Sequence, residues 1–194
     1  MILTEVAPLP DEALPLTALR AHLRLGSGFS DDDLQADVLR QALRAAMSQI
    51  EGRIARMLIG RNFTWVLRAW RAPEWQALPV APVSLVSEVV VINEAGLETV
   101  VDPGRYGLAP DAFRPRLVAK GGMLPAIPPR GTVRISFAAG YGPVWEDVPV
   151  DLRQAVLMLA AHHYETRAGE SGLPFGVMAL IEQYRTVRTL GADR

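Results

Sequence analysis

The chain of 194 residues contains no cysteine. Disulfides, thiolate zinc sites and cysteine nucleophiles are therefore excluded, and nothing can be read about redox compartment. Histidine is scarce as well. Three residues, His22, His162 and His163, leave little material for an imidazole-based centre. Lys120 is the single lysine among 20 basic residues. The arginine excess fits a GC-rich genome, and it also suits subunit contacts, because the planar guanidinium fork matches carboxylates and backbone carbonyls. A formal net charge of −1 creates no bulk field toward nucleic acid or anionic lipid. In a symmetric assembly, though, every subunit repeats any local patch. No segment approaches the ~20 consecutive apolar residues of a membrane span, so no membrane role is expected. The opening "MILTEVAPLPDEALPL" has neither a basic n-region nor a continuous apolar h-region. No secretory signal is expected there, and the cytoplasm is the expected site of origin. Internal repeats and low-complexity segments are also missing.

What is present is the balance of a soluble globular protein, 49% hydrophobic and 21% charged. The pattern runs helical, then extended, then helical. "LTALRAHLRL" (16–25) reads as a short amphipathic helix ended by Gly26 and Gly28. Ser30 followed by Asp31, Asp32 and Asp33 is a helix start, with a hydroxyl cap and carboxylates at the positive end of the dipole. From there Leu39, Leu43, Met47, Ile50, Ile54 and Met57 recur at three- and four-residue steps, predicting a long helix to about Leu58. Gly52 inside it marks a bend or a close helix crossing. Residues 62 to about 140 are richer in proline, glycine and β-branched residues. "FTWVLRAW", "VSEVVVI", "LETVV", "RLVA" and "TVRISFAAGYG" read as strands, with "NEAG" (93–96) as a hairpin turn. After Pro149, "LRQAVLMLAAHHYETR" and "FGVMALIEQYRTVR" return to helix, and "TLGADR" reads as a mobile tail. The expected class is α+β: a helical core of long antiparallel helices carrying an inserted small antiparallel β domain. The expected boundaries are 1–61 for the N-terminal helical part, 62–146 for the β domain, and 147–194 for the C-terminal helices and tail.

Chemistry is hard to find. "AAHHYETR" (160–167) places two imidazoles near Glu165. On a helix, however, adjacent residues diverge by ~100°, so His162 and His163 cannot point into one site. His162 and Glu165 share a face, yet two ligands are too few for zinc, and the HExxH spacing is missing. Polar contacts of a packed helix are the expected role of His162, Tyr164 and Glu165. Asp31, Asp32, Asp33 and Asp37 lack the second acidic cluster that a diphosphate-metal site requires, and capping accounts for the run. "AAGYG" and "AKGGM" open no helix in a βαβ unit, so they match neither phosphate loops nor dinucleotide fingerprints. The serines have no nucleophile-elbow context. Trp65, Trp70, Trp75 and Trp145 suit core packing, with ligand stacking as the rival use. No catalytic residue, metal or cofactor is expected.

The order and spacing of several segments do point somewhere. "LRAHLRL…DDDLQADVLRQALRAAMSQIEGRIARMLIGRNF" is similar to the opening of the phage head–tail connector (adaptor) family. "VVVINEAGLETVVDPGRYGL" resembles its hairpin, "VRISFAAGYGPVWEDVPVDLRQAVLMLAAHHYETR" its strand, "AGYG", "VP" and helix, and "LPFGVMALIEQYR" its ending. The resemblance covers nearly the whole chain. The departures are the "VDL" after Val148-Pro149, and His163 where an aromatic residue is frequent. Tailed-phage adaptors and gene transfer agent adaptors fit equally.

The resemblance implies a non-enzymatic ring, twelve-fold by expectation, docked under the portal protein in the particle neck. Such a ring extends the channel for double-stranded DNA without reading its sequence, and it receives stopper or tail-completion proteins. The helices build the ring, the β block lies outward, and the C-terminal helix and tail engage the portal. Tyr184, Arg185, Arg188, Leu190 and Arg194 are the expected portal contacts. Arg40, Arg44, Arg53 and Arg56 are expected to meet a neighbour's Asp31, Asp32, Asp33 or Asp37, with a solvated helix face as the alternative. Two rival readings are a carbohydrate- or peptide-binding module using the tryptophan-rich β block, and a metal-dependent hydrolase on His162 and Glu165.

Overall fold

The computed structural model describes residues 2–25, 32–166 and 172–185, without the side chains of 32–34. In chain order its elements are β1 (Ile2–Glu5), α1 (Leu16–His22), α2 (Asp32–Ile54), β2 (Arg61–Leu67), β3 (Trp75–Ala77), β4 (Val83–Ile92), β5 (Glu98–Val100), β6 (Tyr106–Ala109), β7 (Arg116–Ala119), β8 (Thr132–Ala139), α3 (Val150–Glu165) and α4 (Phe175–Ile181). Two compact units result. One is Met1–Pro8 with Ile59–Pro143, and the other is Leu9–Leu58 with Val144–Arg194.

The first unit holds all the described strands in two antiparallel sheets, ordered β1-β2-β8-β4-β5 and β3-β7-β6. Its centre is written in the alternation of β8, where Val133, Ile135, Phe137 and Ala139 are buried between partly exposed neighbours. Pairing with β2 sets Leu67 opposite Val133, Trp65 opposite Ile135 and Phe63 opposite Phe137. The two phenylalanine rings stack with centroids 5.8 Å apart. On its other side β8 meets β4 through two register shifts, between Val83 and Leu85 and between Val86 and Glu88. Ser84 and Ser87 sit at those irregularities and donate their hydroxyls to the carbonyls of Ala138 and Ser136. Tyr106 joins the two sheets through a hydrogen bond to the Val89 backbone, and its burial pushes the phenol pKa up.

"AAGYG" has a structural purpose here. Gly140 adopts φ +138°, in the region that favours glycine, and a Cβ on it would lie 2.5 Å from backbone atoms of Gly60. Beyond that contact, Gly60 donates its N–H to the Gly142 carbonyl at 2.7 Å.

The second unit is helical. The phase predicted for α2 buries Leu39, Leu43, Met47, Ile50 and Ile54, while α3 buries Leu152, Ala155, Val156, Leu159 and Ala160. Burying aliphatic side chains of this size is worth about 1.5–3 kcal/mol each, so these helices are held by packing rather than propensity. The long helix stops at Ile54, short of the expected Leu58, because Ala55 turns left-handed at φ +55°. Buried Glu51 then accepts from the Leu58 N–H at 2.9 Å. Gly52 does not break the helical hydrogen bonding of α2, and among the described residues a Cβ there would touch nothing within 4 Å.

The expectation of a helical core of long antiparallel helices with a small β insert is overturned. Among the described residues there are four α-helices, of 7, 23, 16 and 7 residues, beside eight strands in two antiparallel sheets. Two causes are visible. The first and last helices end early: α1 runs into the left-handed Arg24 at φ +55°, and α4 tightens into a 3-10 turn at Glu182–Tyr184. In addition, β1, β3 and β6 are too short to show a period of two in the sequence. Their stability comes from neighbouring strands, which a local pattern does not record. The Ser30 cap, Asp31 and the "TLGADR" tail lie outside the described residues.

Candidate functional site

The "AAHHYETR" stretch ends α3, and its side chains diverge as helical geometry requires. His163 shares a hydrogen bond with the Gln49 side chain of α2 at 3.2 Å. His162 lies 3.4 Å from the Thr166 hydroxyl. Tyr164 accepts from Gln35 at 3.1 Å, and Glu165 is exposed. Burial, assisted by the neighbouring His162, lowers the His163 pKa, which favours the neutral ring. Among the described residues no group of three or more His, Asp or Glu side chains could hold a metal ion. Ser84 and Ser87 are committed to the backbone.

The tryptophans are used in packing. Trp65 and Trp145 are buried, Trp70 donates to the Pro125 carbonyl at 2.7 Å, and Trp75 lies under the Arg116 guanidinium at 5.1 Å.

Arg40 and Arg44 of α2, and Arg56 just beyond its end, have partners within their own chain. Arg40 pairs with Asp37 at 2.6 Å and approaches Asp11 at 3.8 Å. Arg44 binds the Asp11 carboxylate and donates to the Leu9 carbonyl at 2.8 Å. Asp11, 33 residues before Arg44, carried no signal in the sequence. Arg56 is only 3% exposed, donates from Nε to the Tyr184 carbonyl at 3.0 Å, and stands 5.7 Å from the Tyr184 ring centroid. Arg53 is exposed beside a surface cavity of about 490 Å³ lined by Gln49, Gly52, Arg53, Gly172, Leu173 and Met178. Asp32 and Asp33 lie in the first turn of α2. Of the residues expected at a portal, Tyr184 is fixed by Arg56, and Arg185 pairs with Glu182 at 2.9 Å. Arg188, Leu190 and Arg194 lie outside the described residues.

What the arrangement offers is surface. Phe175, in the "LPFGV" segment, is 87% exposed, and Val150 and Val144 are exposed beside the start of α3. In the strand unit, both edge strands of the larger sheet carry exposed apolar side chains: Ile2 and Leu3 on β1, and Val100 on β5. Sequence patterns missed these edges, because an edge is defined by the strand that is not there. Glu98 on β5 is held below the usual carboxylate range, chiefly by its hydrogen bonds from Arg134, at 2.8 and 2.7 Å.

Neither a scan of protein-family models nor a search of curated proteins finds a match. Solved structures do match. The chain is 49% identical to one in the neck of an empty gene transfer agent particle computed with C6 symmetry, with a TM-score of 0.91 over 99% of both chains. It is 51% identical, at TM-score 0.88, to a chain in the virion of a native gene transfer agent particle, again over 99% of both. A third match, from the neck of a native particle computed with C12 symmetry, has 48% identity and TM-score 0.85 over 99% of both chains. At this level of identity and coverage, the chain belongs to the phage head–tail connector (adaptor) family, which includes the adaptors of gene transfer agents.

Proposed function

We propose that this protein is a structural head–tail adaptor in the neck of a gene transfer agent or phage-like particle. One observation carries the reading: three solved neck and virion chains match it at 48–51% identity from end to end. The contacts of His162, His163, Ser84, Ser87 and Trp70 agree with it, because each takes part in packing or a hydrogen bond within the chain.

In this role copies assemble in the cytoplasm into a ring, twelve by the symmetry of one relative, under a portal protein and above stopper or tail-completion proteins. Double-stranded DNA slides through the ring. Such passage favours weak contacts to the phosphate backbone over base readout. Tyr184 and Arg185, followed by Arg188, Leu190 and Arg194, contact the portal, with the Arg56 hydrogen bond supporting a fixed root for that segment. Across the ring, Arg53 is the arginine of α2 best placed to meet a neighbour's Asp31, Asp32 or Asp33. Arg40, Arg44 and Arg56 already have partners in their own chain.

The test is electron microscopy of particles from cells with and without the gene. Heads that lack collar and tail, restored by complementation, are expected. Complete necks formed without this polypeptide would overturn the proposal.

A further inference from the structure

The five-stranded sheet ends in two strands, β1 and β5, that no described strand covers. Open edges pair with other chains unless charge, proline or a bulge prevents it. Here each edge strand carries one carboxylate, and an arginine of the same chain matches each: Arg61 lies 3.5 Å from Glu5, and Arg134 lies 2.7 Å from Glu98. The usual electrostatic block is thereby neutralised on both sides. Exposed Ile2, Leu3 and Val6 line one edge, and exposed Leu97 and Val100 the other.

The hydrogen-bond ladder also aims backbone groups outward. The Val6 N–H donates to Asn62, so residues 2, 4 and 6 face β2, and the main chains of Leu3 and Glu5 face away. Asn93 donates to Leu97, and Val101 donates to Val89, so on β5 the main chains of Glu98 and Val100 face away. Every neighbouring pair in the order β1-β2-β8-β4-β5 is antiparallel, and therefore the two edges run in the same direction. A rotation axis along the strands sets β5 of one copy beside β1 of the next without reversing either strand. That contact is head-to-tail, the kind that closes rings, whereas a two-fold axis would join like edges. Five strands at a spacing of about 4.8 Å span about 24 Å. Twelve copies, the number proposed above from the C12 symmetry of one solved neck, would trace about 290 Å, a circle of about 46 Å radius with an open centre.

We propose that in the assembled ring β1 of each copy pairs in parallel with β5 of its neighbour, joining the five-stranded sheets into one continuous belt. This inference rests on the adaptor reading. The chain has no cysteine, so engineered thiols report the contact without background. In a parallel pair the outward-facing Leu3 lies opposite an inward-facing residue of β5, and exposed Thr99 shares its face of the sheet. Particles carrying the double variant Leu3→Cys with Thr99→Cys, treated with a mild oxidant, should give a ladder of covalent oligomers on a non-reducing gel. Each single variant should stay monomeric. Necks that contain the double variant at wild-type occupancy but give no ladder would overturn the edge pairing and leave the adaptor role standing. Dimers from the single variants would also overturn it, since they report joined like edges. A second pair, Leu3→Lys with Thr99→Lys, sets cations on both edges and on the same face of the sheet. It should keep the wild-type circular dichroism and lose incorporation into necks, and normal incorporation would count against the belt. Wild-type particles whose necks lack the chain altogether would overturn the adaptor reading itself.

Discussion

The Nε of Arg56 donates to the carbonyl of Tyr184, 128 residues away, and the guanidinium stands 5.7 Å from the same tyrosine's ring centroid. One cation thus ties the end of the α2 segment to the 3-10 turn that closes the described C-terminal region. A hydrogen bond involving a charged group contributes about 1.5–3 kcal/mol, and leaving the part-buried carbonyl without its donor adds a share of its desolvation cost.

Arg56→Leu should therefore lower stability by about 2 kcal/mol or more, and Arg56→Lys should recover only part of the loss, because ammonium lacks the planar fork. Urea unfolding measures the first effect. Hydrogen exchange at residues 182–185 measures the second, with faster exchange expected in both variants. Unchanged exchange there would separate Arg56 from the C-terminal turn.

Two glycines should respond in opposite directions. Gly140→Ala forces a methyl to within 2.5 Å of the Gly60 backbone at φ +138°, so a loss of at least about 2 kcal/mol is expected. Gly52→Ala, in the interior of α2, meets nothing within 4 Å among the described residues, and should raise stability by up to about 1 kcal/mol through helix propensity. Thermal melts of the two variants beside wild type give both signs at once.

His163 predicts a pH dependence. Its folded pKa lies below the ordinary value of 6.5, because burial disfavours the imidazolium and the neighbouring His162 adds repulsion. The unfolded chain then binds the extra proton first, so stability rises with pH across that interval. The contribution is fully present above 6.5 and is lost as pH falls through the lower folded value. His163→Gln should flatten this acid-side decline when denaturant midpoints are followed between about pH 5 and 8. An unchanged pH profile in the variant would assign the decline to other groups.

Removal of residues 185–194 addresses the portal contact. Arg185 contributes an exposed pair with Glu182, worth about 0–1 kcal/mol, so the truncated chain should fold with nearly wild-type stability. It should nevertheless fail to join portal-bearing heads, as seen by co-sedimentation. Normal attachment by the truncated chain would place the contact elsewhere.

Local regularities carried a large part of the structure. The helical phases of α2 and α3, the alternation of β8, and the Asn93–Gly96 turn, with Gly96 at φ +79°, are all readable over a few residues. The missing cysteine likewise bounded the chemistry before any fold was known. In each case the deciding interactions are between near neighbours in the chain. Tertiary structure alone decided the rest. It set the balance between helix and sheet, because β1, β3 and β6 persist only through strands paired beside them. It assigned Arg44 to Asp11 and Arg56 to Tyr184 across 33 and 128 residues. It also turned "AAGYG" from a bare glycine motif into the close approach of Gly140 to Gly60. Contacts between distant segments depend on how the chain returns to itself, and no window of residues short enough to show a period contains both partners.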